Sequence, residues 1–132
     1  MKTLLTYFHV MTSAEIGFHL LTEWHQKILN RLMEVEFTGK EFIRSQLLGA
    51  SYIIMDDGFS LKILPGDESE QAHNRRTVPV QGHVCDENGI LMEVLLFIRE
   101  GRVYMFEVLQ DEEKKIDDLP PPEKFDVFSL KG

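Results

Sequence analysis

The nearest approach to a metal-ligand cluster in this sequence is His83, Cys85 and Asp86. Zinc sites use such residues at recognisable spacings, for example Cys-x-x-Cys or His-Glu-x-x-His, and neither spacing occurs here. On a strand, His83 and Cys85 would share one face, but two ligands do not complete a site. The pattern favours a pair of half-buried strand residues over a metal centre, so we expect no cofactor and no metal.

Catalytic signatures are equally sparse. Cys85, the only cysteine, could serve as a thiol nucleophile with a remote histidine, yet no flanking motif supports this. The sequence contains neither a Gly-x-Ser-x-Gly elbow nor a glycine-rich phosphate loop. Glu93 and Glu107 each interrupt an apolar run, and a solvent-facing or ion-paired role suits them better than catalysis. We therefore expect a protein that is not an enzyme, with Cys85 or Glu107 as the site residues of a weaker enzymatic alternative.

Carboxylates are the most abundant ionisable side chains, and they are unevenly distributed along the chain. The formal net charge is −8, with 22 acidic and 14 basic residues, and all of the excess falls after residue 55. Such a field repels nucleic acid and anionic membranes, and it accelerates association with a basic protein. Solubility alone could also explain it. We predict that the acidic turns contact a basic partner. The predicted contact residues are Asp86, Glu87, Asp111, Glu112 and Glu113.

The elements that would position these turns follow from hydrophobic periodicity. Apolar residues recur every three to four positions from Leu21 to Val35, which predicts a helix capped by Thr22 with Gln26 on its solvent face. Thr38 and Glu41 have the spacing of a capping box at the start of a second helix. Beyond residue 50 the chain alternates between β-prone runs and turns, including Asp56-Asp57-Gly58 and Asn88-Gly89.

These elements predict an α+β fold in which two N-terminal helices pack on one face of a largely antiparallel meander sheet of five or six strands. The run from Ile90 to Ile98 suits a central strand covered by the helices. Three prolines, Pro120 to Pro122, favour a stiff extended connector before a last strand. We expect one domain over residues 1–132. Residues 1–19 form an N-terminal arm that could pack, remain loose or join two copies in a homo-oligomer.

Location in the cell is predicted from exclusions. A single thiol cannot form an internal disulfide, so nothing indicates an oxidising compartment. No apolar run approaches the roughly 18 residues that a membrane-spanning helix needs. Polar residues interrupt the apolar start of the chain, and no cleavage pattern closes it. We therefore expect a cytoplasmic protein that does not bind membranes.

The strand half carries a recognisable progression of residues. It runs from Val78-Pro79-Val80-Gln81-Gly82 through Asp86-x-x-Gly89 and Val94-Leu95-Leu96-Phe97 to Gly101-Arg102 and Phe106-Glu107-Val108. This order resembles a bacterial family of unknown function, over residues 20–122. Small acidic proteins of this kind resemble immunity proteins of polymorphic toxin systems, which bind and neutralise a toxin. The resemblance implies a bacterial, non-catalytic binding protein and identifies no binding residue.

Two functional hypotheses follow. The first is an acidic partner-binding protein, in particular an immunity protein that blocks a basic toxin domain by steric occlusion and charge complementarity. The second is a small-molecule binding domain with a pocket between the helices and the sheet. Its expected lining residues are Trp24, Phe42, Tyr104 and Phe106.

Overall fold

A computed structural model describes residues 21–66, 71, 77–87, 89–110 and 118–130. In chain order the elements of this part are α1 (Glu23–Leu32), α2 (Lys40–Leu48), β1 (Ser51–Ile54), β2 (Leu61–Leu64), β3 (Val80–Asp86), β4 (Gly89–Arg99), β5 (Arg102–Gln110), a 3₁₀ turn (Pro122–Lys124) and β6 (Asp126–Phe128). The predicted arm over residues 1–19 lies outside the described residues, so its packing stays a prediction.

The strands form one antiparallel sheet in the order β1-β2-β5-β4-β3-β6. Strands β3, β4 and β5 follow one another as a meander. The β1–β2 hairpin is added beside β5 and β6 is added beside β3, so β1 and β6 are the edges. Both helices precede the strands, and the predicted α+β class with a six-stranded antiparallel sheet is confirmed.

The helices cover one face of the sheet, and the core lies between the two layers. Ile28, Leu32 and Ile43 of the helices pack with Leu96 and Phe106 of the central strands, and all five side chains are fully buried. Burying a large apolar side chain stabilises the fold by about 1.5–3 kcal/mol. These contacts therefore fix the position of the helices on the sheet.

Helix α1 begins as the sequence predicts. Thr22 is the N-cap, and its hydroxyl accepts a hydrogen bond from the His25 amide at 3.2 Å. The prediction that Gln26 faces solvent is wrong. Gln26 is buried and its Nε2 donates to the Leu21 carbonyl at 3.1 Å, so a local hydrogen bond offsets the loss of hydration.

Helix α2 begins differently from the prediction. The residue at its N-cap is Gly39, with φ 81°. The expected capping box would place the N-cap at Thr38, whereas the structure places it one position later, at a residue in the left-handed conformation. Glycine adopts this conformation without the steric cost that a Cβ imposes.

The triple proline also differs from the expected extended connector. Pro122 opens a 3₁₀ turn, a position that proline tolerates because the missing amide would have had no partner there. Phe125 follows in the core, and the indole Nε1 of Trp24 donates to the Pro120 carbonyl at 2.9 Å. This segment docks on α1, and it delivers β6 to the sheet as expected for a last strand.

Within the described ranges no helix is long and apolar enough to span a membrane.

Candidate partner-binding surfaces

The acidic turns lie at one end of the sheet. The β1–β2 turn carries Asp56 and Asp57, and the β3–β4 turn carries Glu87. Because β1 and β3 run in the same direction in this antiparallel sheet, both strands end on the same side. β5 also ends there, at Gln110, immediately before Asp111 in the chain. We call this side of the molecule the acidic end.

The register shows how far apart these turns are. Leu61, just after the first turn, is level with Val80 across the sheet, through Phe106 and Leu96. Glu87 lies seven residues beyond Val80, which corresponds to about 20 Å at roughly 3.3 Å per residue. The β3–β4 hairpin therefore projects well past the β1–β2 turn, and the two turns share an end without forming one continuous patch.

The structure describes some of the predicted contact residues and not others. Asp86 ends β3 and pairs with Gly89 across the hairpin, while Glu87 is exposed in the turn. No lysine or arginine among the described residues forms an ion pair with Glu87. Asp111, Glu112 and Glu113 lie outside the described residues. Their role as contacts stays a prediction.

Asp57 is a structural carboxylate. It accepts hydrogen bonds from the amides of Phe59 (2.9 Å) and Ser60 (2.8 Å) and from the Ser60 hydroxyl (2.6 Å). Partial burial opposes ionisation, but these three donors outweigh it and lower the pKa of Asp57. Its neighbour Asp56 is exposed and has no ion pair with any described lysine or arginine. Of the two carboxylates in this turn, Asp56 is the one available to a partner.

Sequence reasoning missed the buried histidine His25. Its Nε2 lies 2.6 Å from the Phe59 carbonyl and its Nδ1 lies 2.8 Å from the Thr22 hydroxyl. The neutral tautomer protonated on Nε2 satisfies both contacts, with the hydroxyl donating to Nδ1. Burial lowers the pKa of His25, and the Phe59 carbonyl and the Asp57 charge only partly counter it. The spacing of Thr22 and His25, three residues apart at a helix start, was the available signal.

The sequence cluster at His83 and Cys85 does not assemble a metal site in the described part of the chain. No group of three or more histidine, cysteine or carboxylate side chains comes together there. His83 is half-buried, with Nε2 4.0 Å from an Asp126 carboxylate oxygen and its ring 5.4 Å from that of Phe128. Cys85 is exposed after a register shift at Val84. Both residues hold ordinary strand positions.

The four aromatic residues expected to line a pocket do not converge. The rings of Trp24 and Phe106 are 6.4 Å apart, and Phe106 is fully buried in the core. Tyr104 points to the other face of the sheet, where its ring lies 6.1 Å from that of Phe97 and 4.2 Å from the Arg99 guanidinium carbon. Phe42 is 36% exposed on α2. These side chains therefore do not form the expected lining.

The face of the sheet opposite the helices, which we call the outer face, carries three cross-strand rows of side chains. Alternation places them there, since their strand neighbours point into the core. The rows are Ile53, Lys62, Met105 and Phe97; Glu107, Leu95, Gln81 and Phe128; and Leu109, Glu93, His83 and Asp126. Glu93 and Glu107 thus lie on this face, half-buried between apolar neighbours.

A groove of about 460 Å³ opens beside the β1–β2 hairpin. Ile53 and Met105 form apolar walls, and Lys62, Asp56 and Glu107 supply charged groups. A concave surface of this size, with apolar walls and a few polar groups, can accommodate a small molecule.

Comparisons of the chain with protein-family models, with curated proteins and with solved structures found no match. The resemblance to a bacterial family and to immunity proteins therefore stays a hypothesis.

Proposed function

We propose that this chain is a non-catalytic binding protein for a basic protein partner, in particular an immunity protein that neutralises a basic bacterial toxin domain in the cytoplasm. The observation that carries the proposal is the acidic end, where the exposed carboxylates of Asp56 and Glu87 have no described cationic partner. Carboxylates held on rigid hairpins attract a cationic surface and orient it during encounter.

The distribution of charge along the strands supports this proposal. At the opposite end of the sheet the β4–β5 turn carries Arg99 and Arg102 beside Glu100. The β4–β5 turn is therefore weakly positive, in contrast to the acidic turns at the other end of the sheet. A basic partner is drawn to the acidic end, and the β3–β4 hairpin that projects from it can reach into a concave active site. Steric occlusion of this kind inhibits a toxin without catalysis.

The test uses two variants with equal changes in net charge. In the first, Asp86, Glu87, Asp111, Glu112 and Glu113 are replaced by Ser or Asn. In the control, five acidic residues outside the three acidic turns are replaced in the same way, namely Glu23, Glu34, Glu36, Glu41 and Glu123. The partner is captured by the tagged chain from lysate of the source cells, purified, and its association with each variant is followed at low and high salt.

We expect the first variant to associate at least tenfold more slowly at low salt and to lose most of its salt dependence, because steering depends on local charge. The control is expected to retain most of the association rate. Equal rates for the two variants would contradict the assignment of the acidic end. A captured partner that is not basic, or whose activity the chain leaves unchanged, would contradict the inhibitor function.

A second candidate function is small-molecule binding in the groove beside the β1–β2 hairpin. The observation that favours it is the groove's combination of apolar walls with Lys62 and Glu107. A ligand that binds only the folded state stabilises it by RT ln(1 + L/Kd), where L is the ligand concentration, so the thermal unfolding midpoint rises with the logarithm of ligand concentration once that concentration exceeds Kd. A metabolite panel that produces such a shift in the wild-type chain, and not in Met105→Glu, would support this function.

A further inference from the structure

The outer face has a charge balance unlike that of the rest of the molecule. On strands β2, β5 and β4 it carries Lys62, Arg99 and Arg102 as cations and Glu93 and Glu107 as anions. Arg99 belongs to this face because its guanidinium lies against Tyr104, and Arg102 is its cross-strand partner. This part of the face therefore carries slightly more positive than negative charge within a chain of net charge −8. A surface that binds only a basic partner has no need of such cations.

The same strands expose apolar side chains between these charges. Leu95, Phe97 and Met105 are half-buried at the centre, and Leu109 and Leu64 are 46% and 40% exposed. An apolar centre framed by charged residues is the usual anatomy of a protein interface. The sheet spans about 24 Å across its six strands and about 20 Å along β4 from Glu93 to Arg99, or at most roughly 480 Å² in projection, compared with roughly 800 Å² per partner in a standard-size complex.

The positions of the charges make this face complementary to a copy of itself. Leu96 is midway between Glu93 and Arg99 along β4, and also midway between Leu95 and Phe97. Consider two copies stacked face to face and related by a two-fold axis that lies between the sheets, runs across the strands and passes over Leu96. This symmetry places each residue of one copy opposite the residue of the other copy that lies the same number of positions from Leu96 in the opposite direction along the strand. Glu93 of one copy then faces Arg99 of the other, and Leu95 faces Phe97.

The neighbouring strands obey the same symmetry. Lys62 on β2 is level with Phe97, and Glu107 on β5 is level with Leu95. The axis therefore places Lys62 of one copy within one strand spacing of Glu107 of the other, about 4.8 Å sideways. Stacked sheets rotate by about 30° relative to each other, and the long side chains of Lys62 and Arg99 tolerate that rotation.

We propose that two copies of this chain associate through their outer faces as a symmetric, face-to-face dimer, held by the apolar centre and by reciprocal Glu93–Arg99 and Glu107–Lys62 pairs. The projecting β3–β4 hairpin with Glu87 lies outside this contact, whereas Asp56 borders it because it lines the same groove as Lys62 and Glu107. The dimer therefore leaves the β3–β4 hairpin open. The proposal is independent of the basic partner and can fail or succeed without it.

The test is a pair of charge reversals, Glu93→Arg and Arg99→Glu. The two residues are six positions apart on one strand, about 20 Å, so they cannot pair within one chain. Each variant alone places like charges opposite each other in both symmetric contacts. A mixture of the two variants restores both contacts in a mixed dimer. Sedimentation equilibrium reports the mass, with circular dichroism and thermal unfolding as checks of folding.

We expect the wild type at twice 15.3 kDa, and each reversal alone to raise the dimer Kd by roughly tenfold or more. The mixture is expected to return to a Kd within about threefold of the wild type. Glu41→Arg on the exposed face of α2, with the same change in net charge, is the matched control and should remain dimeric. Phe97→Gln removes apolar contact without changing charge and should also weaken the dimer.

A wild-type chain that stays at the mass of one copy at all concentrations would overturn the proposal. So would a dimer that persists in both single reversals, because it must then use another surface. Failure of the mixture to associate would overturn the pairing.

Discussion

At the scale of single residues, His25 shows how a polar side chain can belong to the core. It is fully buried, and hydrogen bonds to Thr22 and Phe59 satisfy both ring nitrogens in the neutral form. The sequence pattern assigned the buried stripe of α1 to Trp24, Ile28 and other apolar residues, since hydropathy treats histidine and glutamine as polar. Specific hydrogen bonds reverse that preference, and they depend on tertiary neighbours that no local pattern contains.

The buried His25 predicts a pH dependence of stability. Burial lowers its pKa in the folded chain, while in the unfolded chain the ring titrates near 6.5. As the pH falls below about 6.5, the unfolded state therefore binds a proton that the folded state does not, and the free energy of unfolding decreases. We expect the decrease to approach at most about 1.4 kcal/mol per pH unit.

His25→Gln should lower stability at neutral pH by roughly 1–3 kcal/mol through lost hydrogen bonds, and it should flatten the pH dependence between about pH 7 and 5. Urea unfolding at a series of pH values measures both quantities. An unchanged slope in His25→Gln would show that other groups cause the dependence.

At the scale of elements, strand alternation was readable from sequence and strand order was not. The hairpins at Asp56-Asp57-Gly58 and Asn88-Gly89 follow from turn chemistry, and the structure pairs the flanking strands as expected. The contact of β2 with β5 joins residues 43 and 45 positions apart, Lys62 with Met105 and Leu61 with Phe106, and depends on how the hairpins pack. The run from Ile90 to Ile98 suggested burial by helices alone, whereas alternate residues line the outer face.

The edge strand β6 depends on one glycine of β3. A Cβ added to Gly82 would lie 3.0 Å from Val127 Cγ1 and 3.2 Å from the Asp126 carbonyl oxygen. Gly82→Ala should therefore push β6 away from the sheet and cost about 1–3 kcal/mol, as overpacking usually does. Amide hydrogen exchange of β6 and the urea midpoint measure the effect.

Gly49→Ala is the matched control for Gly82→Ala. Beyond its chain neighbours, a Cβ at Gly49 would have its nearest contact with the Ser45 carbonyl oxygen at 3.9 Å, and the φ of −101° suits any residue. This variant should change stability by less than about 0.5 kcal/mol. If Gly82→Ala also leaves the free energy of unfolding nearly unchanged, then β6 can move away from β3 at little cost, and the pairing of these two strands contributes little to stability.

At the scale of the whole molecule, the charge imbalance sets a background repulsion. With 22 acidic and 14 basic residues the folded chain carries its negative charges closer together than the unfolded chain does. Salt screens this repulsion, so we expect the thermal unfolding midpoint to rise by a few degrees as ionic strength increases from about 0.01 to 0.3 M. Calorimetry measures it.

The variant with Ser or Asn at Asp86, Glu87, Asp111, Glu112 and Glu113 carries five fewer negative charges and should show a smaller rise. A midpoint that falls with salt would instead indicate that attractive ion pairs dominate the fold. The amino-acid composition alone predicts this background repulsion. The self-complementary placement of Lys62, Arg99, Glu93 and Glu107 required the register of the sheet, since charge totals do not record position.

The hydrogen bond from the Trp24 indole to the Pro120 carbonyl makes intrinsic tryptophan fluorescence a probe of the C-terminal segment. Trp24 is the sole tryptophan of the chain, and its indole lies against the rings of Phe125 and His25. Its fluorescence therefore reports on the contact between helix α1 and the C-terminal segment. A red shift in that emission marks the moment when the segment detaches and water reaches the indole, so the last strand's departure can be timed in unlabelled protein.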